Sequence, residues 1–375
     1  MYPKEELESR IKRLRRWMAR RDIDLCLFAS GPNMLYLSGT MESELLAVPL
    51  DDEPYLIARY AFGDEIAREK SPFHVEVFKP FFGISRSEFE EPNPFKILLE
   101  KSGSLRRIAA DFLDRKAMTE KMRKVLRRGK KSVATLDAGQ QLSRMRSVKS
   151  EYEVNLMRES ASISIKALES IEITPRMSER EIANLLDFEM RKLGADGSGF
   201  PTIVASGMNS FNAHHIPTER RISDGDILLI DFGAKYKGYC IDITRTYFIG
   251  RPPDGFRERY DAVLEAQERA MEYIRDKAPF EKPDIEARKV LKKAGLLEYF
   301  AHSLGHGIGI EVHEEVRLLV GKKGLIEEGM TVTDEPGIYL RGWGGIRIED
   351  TVLAGRSRGI PLTEKLPKDP EYLRR

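Results

Sequence analysis

Residues 228–246 read "LLIDFGAKYKGYCIDITRT", two apolar strand-like runs joined by a short turn that contains glycine. Each run carries an aspartate, Asp231 or Asp242, among Leu, Ile, Phe and Tyr. An unpaired carboxylate is costly there. Side chains alternate faces along a strand, so Leu229, Asp231 and Gly233 share one face and Leu228, Ile230 and Phe232 the other. A turn centred between Tyr236 and Lys237 predicts Asp231 opposite Asp242, with Cβ atoms about 5 Å apart; a bulge at Gly238 would shift that register. Like charges directly opposed destabilise a sheet, and burial raises the cost. Such a pair persists by sharing a proton, meeting arginines or clamping a cation.

A second stretch, "DEPGIYLRGWGGIRIED", repeats the arrangement. A turn centred on Gly342 places Glu335 opposite Glu349 and, on the same face, Gly337 opposite Arg347. Four carboxylates facing one pocket suit two divalent cations better than one. Five of the six histidines, His214, His215, His302, His306 and His313, lie within the same half of the chain, and only His74 lies outside it. His306 sits in "SLGHGIGIEVHEE", where flanking glycines allow a close backbone approach. The glycines of this run do not make a phosphate loop, because no Gly-Lys-Ser/Thr follows. Two Asp, two Glu and one His form an oxygen-rich set with a single imidazole, suited to Mn²⁺, Co²⁺, Fe²⁺ or Zn²⁺. Two such ions acidify a shared water and stabilise an oxyanion, which points to hydrolysis at a carbonyl.

The rest of the chain sets the frame. Its 375 residues suggest two or three domains, and a charged fraction of 33% with a net charge of only +2 does not ask for nucleic acid or an anionic membrane. The basic cluster from Arg10 to Arg21 reads as the solvated face of an amphipathic helix whose stripe is Ile11, Leu14, Trp17 and Met18. Two cysteines, Cys26 and Cys240, lie in apolar runs and read as small core residues. The N-terminus has no apolar signal core and no run reaches the ~18 residues of a membrane span, so a soluble, cytoplasmic protein is expected.

Helix and strand signals alternate through residues 1–143, an α/β unit around a mixed sheet. No G-x-G-x-x-G follows its first strand, so a dinucleotide site is excluded and a scaffold or oligomerisation role is expected. Residues 144–375 begin with a polar turn and a long helix at about 149–171. A second helix opens on the capping box Ser178–Glu181. Helices interleaved with hairpins make this an α+β unit.

Together, "IDFGA", "DITRT", "LGHGIGIEVHE", "DEPGIY" and "GGIRIEDT" resemble the pita-bread metallopeptidases, which include Xaa-Pro dipeptidase (prolidase), Xaa-Pro aminopeptidase, methionine aminopeptidase and the metal-free creatinase. The first unit is similar to the creatinase-type N-terminal domain, notably in "RRDIDLCLFASGPNMLYLSG". That leading domain argues against a minimal methionine aminopeptidase, and the full donor set argues against creatinase. The resemblance implies two metal ions held by Asp231, Asp242, His306, Glu335 and Glu349, with Glu335 also the general base. It implies that His214 and His313 contact the reacting carbonyl or leaving group, that Arg347 orients a ligand and that Arg317 takes the substrate's C-terminal carboxylate.

The chain departs from the family pattern at three points. Ala213 replaces a common proline and leaves His214 and His215 hard to separate, with spacing to Asp231 favouring His214. Val316 replaces another proline, beside Arg317, and Asp334 is an additional acid that alternation turns away from the metals. The implied activity is hydrolysis of small peptides with proline second, most naturally Xaa-Pro dipeptides, by a homodimer. The alternatives are an aminopeptidase acting on longer peptides and an inactive scaffold on the same fold.

Overall fold

The computed structural model describes residues 2–79, 93–101, 105–128 and 133–374. The chain divides into two units, Met1–Met145 and Arg146–Arg375.

The first unit is built on a six-stranded mixed sheet: β1 (Leu25–Phe28), β2 (Leu45–Pro49), β3 (Tyr55–Arg59), β4 (His74–Phe78), β5 (Arg107–Ala110) and β6 (Ala134–Asp137), in the order β4-β3-β2-β1-β5-β6. The β1–β2 and β2–β3 pairs are antiparallel, and β3–β4, β1–β5 and β5–β6 are parallel. Leu25, Leu27, Leu45, Ile57 and Ile108 pack with Phe95, Met122 and Val125 of two covering helices. Cys26 is buried, and burial pushes its thiol above the usual range. The basic helix Lys4–Ala19 corrects one expectation. Arg10 is not on a solvated face: it is buried, its guanidinium lies 4.3 Å from the centroid of the Tyr36 ring and donates to the Tyr36 carbonyl at 2.7 Å. The cation is satisfied internally by ring and carbonyl, so helical spacing alone cannot tell it from its exposed neighbours.

The expected polar turn before the long helix is in part helical: the helix Gly139–Ser147 runs through the boundary at Met145. The next helix, Glu151–Glu169, opens on a capping box of Ser150 and Glu153, and Glu179–Lys192 opens on the expected box of Ser178 and Glu181. Strands then follow: β7 (Gly197–Ser198), β8 (Ile203–Ser206), β9 (Ile227–Phe232), β10 (Ala234–Tyr236), β11 (Tyr239–Cys240) and β12 (Ile243–Phe248). After the packed helices Phe256–Met271 and Lys282–Lys293 come β13 (Gly305–Gly307), β14 (Glu314–Leu318), β15 (Thr331–Asp334), β16 (Gly337–Leu340), β17 (Gly344–Arg347), β18 (Asp350–Ala354) and β19 (Gly359–Pro361). They pair as β11-β10-β7, β12-β9-β8, β14-β13-β15-β18-β19 and β16-β17. A bridge between Thr244 and Glu349 ties β12 to the strands that follow β17.

The first acidic hairpin forms, but not in the expected register. Its turn is centred between Lys237 and Gly238, whose φ values of 46° and 84° are those of a two-residue type I′ loop. Glycine fits the second left-handed position, and this places Tyr236 opposite Tyr239. Asp231 therefore faces Thr244, not Asp242. The partner moves by two residues, so both aspartates keep their shared face. At Gly233 the ladder breaks. Ala234 N–H donates to the Ser164 hydroxyl, the Ser160 hydroxyl donates to the Ala234 carbonyl, and Asp242 N–H leaves the strand for the Thr351 hydroxyl.

Gly233 is required because a Cβ there would lie 1.8 Å from the Ile241 carbonyl oxygen, whereas one at Gly342 would meet nothing within 4 Å. Gly233→Ala is expected to cost about 3 kcal/mol, and Gly342→Ala, with only its φ of +84° to strain it, about 1 kcal/mol. Urea unfolding of both variants reads the difference, and equal costs would mean that the crossing at Gly233 relaxes freely.

Candidate metal centre

Asp231, Asp242, His306, Glu335 and Glu349 all line one cavity of about 520 Å³. They come from five places along the strands of the second unit. Asp231 is in β9, and Asp242 lies at the break before β12. His306 is in β13, its N–H donating to the Thr333 hydroxyl at 2.9 Å. Glu335 and Glu349 occupy the junction between two ladders in one register, since Asp334 pairs with Asp350 on one side and Gly337 with Arg347 on the other. The second hairpin is thus centred on Gly342 as expected, with Glu335 facing Glu349.

Hydrogen bonds aim each donor. The Thr244 hydroxyl donates to Glu349 Oε2 at 2.6 Å and accepts from Arg347 Nε at 3.0 Å. Arg347 Nη2 donates to Asp231 Oδ2 at 2.6 Å, and Nη1 donates to the Tyr339 hydroxyl at 2.7 Å. The Thr333 hydroxyl donates to Glu335 Oε1 at 3.1 Å. His306 Nδ1 donates to the Gly307 carbonyl at 3.1 Å, which leaves Nε2 bare toward Glu335 Oε1 at 3.4 Å and Asp242 Oδ2 at 3.8 Å. Burial, with His313 next, holds His306 at about 3, so the imidazole is neutral and offers a lone pair.

The acids are crowded. Burial pushes the Glu335 carboxyl up to about 7 against the pull of Arg347, with Asp231 adding to the rise. Asp242 and Glu349 are driven well above the carboxylate range, first by burial and then by one another or by Glu335. Oδ1 of Asp231 and Oδ1 of Asp242 are buried and take no hydrogen bond. Ligand atoms of Asp242, His306 and Glu349 lie within 4.8 Å of one another, the one such group among the described residues. Orphaned carboxylate oxygens beside a bare imidazole nitrogen fit a divalent cation.

The remaining candidates separate by partner. His214, His313, Arg317 and Arg347 line the same cavity. The His313 ring packs 4.2 Å from that of His306. His215 also reaches the cavity, but its Nε2 donates to Glu179 at 2.8 Å. Burial works to raise Glu179, yet hydrogen bonds from His215, Thr218, Ser206 and Asn209 outweigh it and hold the carboxyl at about 2. His215 is therefore an anchor of its loop, whereas no side-chain bond of this kind is seen for His214 among the described residues. Asp334 turns away from the cavity into a buried cluster near Asp350 and Lys368, in keeping with alternation.

Three residues carry no role in the sequence reading. His302 lines the cavity and meets the Tyr339 hydroxyl at 3.0 Å, joining a chain that runs through Tyr339 to Arg347. Thr244 orients Glu349. For His302 the signal was its place in "HSLGH", four residues before His306; for Tyr339 and Thr244 no local signal existed.

Arg347→Lys keeps a charge but cannot span Asp231, Tyr339 and Thr244 at once. Divalent metal affinity is expected to fall roughly 10–100-fold, read by calorimetric titration of Mn²⁺ into metal-stripped protein. Unchanged affinity would show that Asp231 needs no such orientation.

Comparison with known proteins matches two family models: Creatinase/Prolidase N-terminal domain over residues 10–148, and Metallopeptidase family M24 over residues 155–356. The chain is 33% identical over 367 residues to a protein of Pyrococcus horikoshii named Xaa-Pro dipeptidase, covering 96% of this chain and 97% of that one. A solved Xaa-Pro dipeptidase from Bacillus anthracis superposes with a TM-score of 0.85 at 30% identity, covering 97% of this chain and 99% of that one. A solved X-Pro aminopeptidase from Thermotoga maritima superposes with a TM-score of 0.81 at 32% identity, covering 96% and 99%. The mixed-sheet unit and the hairpin-built unit are those of the creatinase N-terminal and pita-bread folds. With five acid and imidazole donors around one cavity, this chain belongs to metallopeptidase family M24 and carries a creatinase/prolidase N-terminal domain.

Proposed function

We propose that this chain is an Xaa-Pro dipeptidase, a metal-dependent exopeptidase acting on small peptides with proline second. The observation that carries the reading is the convergence of two orphaned aspartate oxygens, two glutamates and a bare imidazole nitrogen on one cavity. Two divalent ions, Mn, Co, Zn or Fe, would be held by Asp231, Asp242, His306, Glu335 and Glu349. When bound, such ions supply an activated water and a counter-charge for the developing oxyanion.

The chain's own groups do the rest. Glu335 takes a proton from the attacking water and returns it to the leaving proline nitrogen, which has no hydrogen in the peptide. His214 and His313, on the cavity wall, donate to the carbonyl oxygen and the tetrahedral centre as charge builds. Arg317 supports the dipeptidase reading: it lines the cavity and its guanidinium donates to the Val316 carbonyl at 3.0 Å, and a fixed cation of this kind suits a terminal carboxylate. His215 holds the His214 loop through Glu179. A homodimer and a cytoplasmic location belong to the same proposal.

The second reading, an Xaa-Pro aminopeptidase, is supported by the superposition on the Thermotoga maritima enzyme, with a TM-score of 0.81 beside 0.85 for the Bacillus anthracis dipeptidase. The intact donor set speaks against an inactive scaffold. Metal-stripped protein is expected to regain Xaa-Pro hydrolysis on addition of Mn²⁺ or Co²⁺. Absence of metal-dependent cleavage of every Xaa-Pro and Xaa-Pro-Yaa-Zaa peptide tried would falsify the peptidase reading. A kcat/KM higher on the dipeptide selects dipeptidase, and one higher on the tetrapeptide selects aminopeptidase. Glu335→Gln is expected to lower kcat by about 10²–10⁴-fold in protein of unchanged thermal stability; an active variant would remove Glu335 from the proton transfer.

A further inference from the structure

A buried charge network lies beneath His313. The residue ends the connection 308–313 between β13 and β14, just beyond a register shift in their ladder: Gly307 pairs with Glu314, but His306 pairs with Arg317. An imidazole carried by such an irregular segment has no ladder to orient it. Two acids bracket it, Glu311 before and Glu314 after, and one guanidinium holds both: Arg146 Nη2 donates to Glu311 Oε2 at 2.6 Å and to Glu314 Oε1 at 2.7 Å. Lys149 Nζ donates to the other oxygen, Glu314 Oε2, at 2.9 Å. The side chains of Arg146, Lys149 and Glu314 are 7%, 1% and 7% exposed, whereas Glu311 is 48% exposed.

The clamp has a fixed base and a close fit. Lys149 N–H donates to the Gly329 carbonyl at 2.8 Å and Val148 bridges Met330, which seats the segment 146–149 beside the start of β15. A Cβ on Gly309 would lie 2.8 Å from Glu314 Oε1 and 3.0 Å from Lys149 Cε, so the loop rests directly on the network. Burial opposes ionisation of Glu314, yet Lys149 and then Arg146 draw its carboxyl below the usual range, so it remains a charged anchor. Breaking one partner of such a buried set leaves an uncompensated charge, which is strongly unfavourable.

We propose that Arg146 is a positioning residue for catalysis: by pinning Glu311 and Glu314 on either side of Val312–His313, it holds the His313 imidazole against His306 at the cavity wall. The inference rests on the role given above to His313 in the Xaa-Pro reaction. Removal of the clamp is expected to lower kcat more than metal affinity, because none of the side chains of Arg146, Lys149, Glu311 and Glu314 bonds to the side chain of a donor residue among the described contacts.

The test uses the full chain loaded with Mn²⁺. Glu311→Gln weakens the exposed arm without endangering the fold, and Arg146→Gln removes the clamp. Both should lower kcat on an Xaa-Pro dipeptide, Arg146→Gln by about tenfold or more, with Mn²⁺ affinity unchanged. In a His313→Ala background neither should have any further effect, since each acts through a ring no longer present. A purely structural role predicts losses that multiply in the double variants, and that result overturns the proposal. If the wild type cleaves no Xaa-Pro peptide, the functional reading fails by itself. The clamp is then read from labelled histidine in protein loaded with diamagnetic Zn²⁺ in place of Mn²⁺: proximity of the His306 and His313 rings by NMR should be seen in the wild type and lost in both Glu311→Gln and Arg146→Gln. Retention of that proximity in both variants also overturns it.

Discussion

Like charges forced together in a buried cluster govern the second unit. Two unit charges about 4 Å apart repel by about 4 kcal/mol even at an effective dielectric of 20. A hydrogen bond returns only about 1 kcal/mol. The hydroxyls of Thr244 and Thr333 can therefore aim Glu349 and Glu335 but cannot hold them as a charged set. Arg347 bonds Asp231 and draws Glu335 and Glu349 down as well, but one guanidinium does not outweigh their burial and mutual repulsion. The raised carboxyls of Asp242, Glu335 and Glu349 and the orphaned aspartate oxygens are the marks of that imbalance. Divalent cations remove it, and the hydrolytic chemistry follows from the same charges.

A second tier of buried arginines makes the cluster rigid. Arg347 spans Asp231, Tyr339 and Thr244. Arg245 binds the Glu349 carbonyl and Asp350, and through the Leu366 carbonyl at 2.8 Å it ties the C-terminal segment to the same strand. Arg146 does comparable work under His313. Buried ion pairs are weak contributors to stability, but a planar fork with several partners fixes directions in space. Metal ligands and accessory histidines need fixed directions more than they need extra stability.

The two hairpins show how far local reasoning reaches. For Glu335 and Glu349 the turn around Gly342 sets the register, and alternation carries it without a break through Gly337 and Arg347. For Asp231 and Asp242 the same reasoning missed the centre by one position, because Lys237 and Gly238 both take left-handed φ and move the turn toward the glycine. The face survived because a two-residue change of partner preserves alternation. The helix Gly139–Ser147 and the inward turn of Arg10 were not legible, since each is decided by packing that short-range periodicity does not encode. His214 and His215 were likewise inseparable until Glu179, 36 positions from His215, claimed one of them.

The amino-acid order by itself determined the donor inventory, the strand faces on which the acids stand and the family whose chemistry they match. These follow from period-two alternation and turn composition, which are properties of neighbouring residues. Tertiary structure alone decided which carboxylate oxygens are left without a partner, which histidine is free and which arginine holds the loop that carries His313. Those outcomes depend on contacts between residues distant in sequence, from the 36 positions between Glu179 and His215 to more than a hundred between Arg347 and Asp231 or Arg146 and Glu314. No local pattern encodes them, because burial and charge compensation exist only once the strands have met.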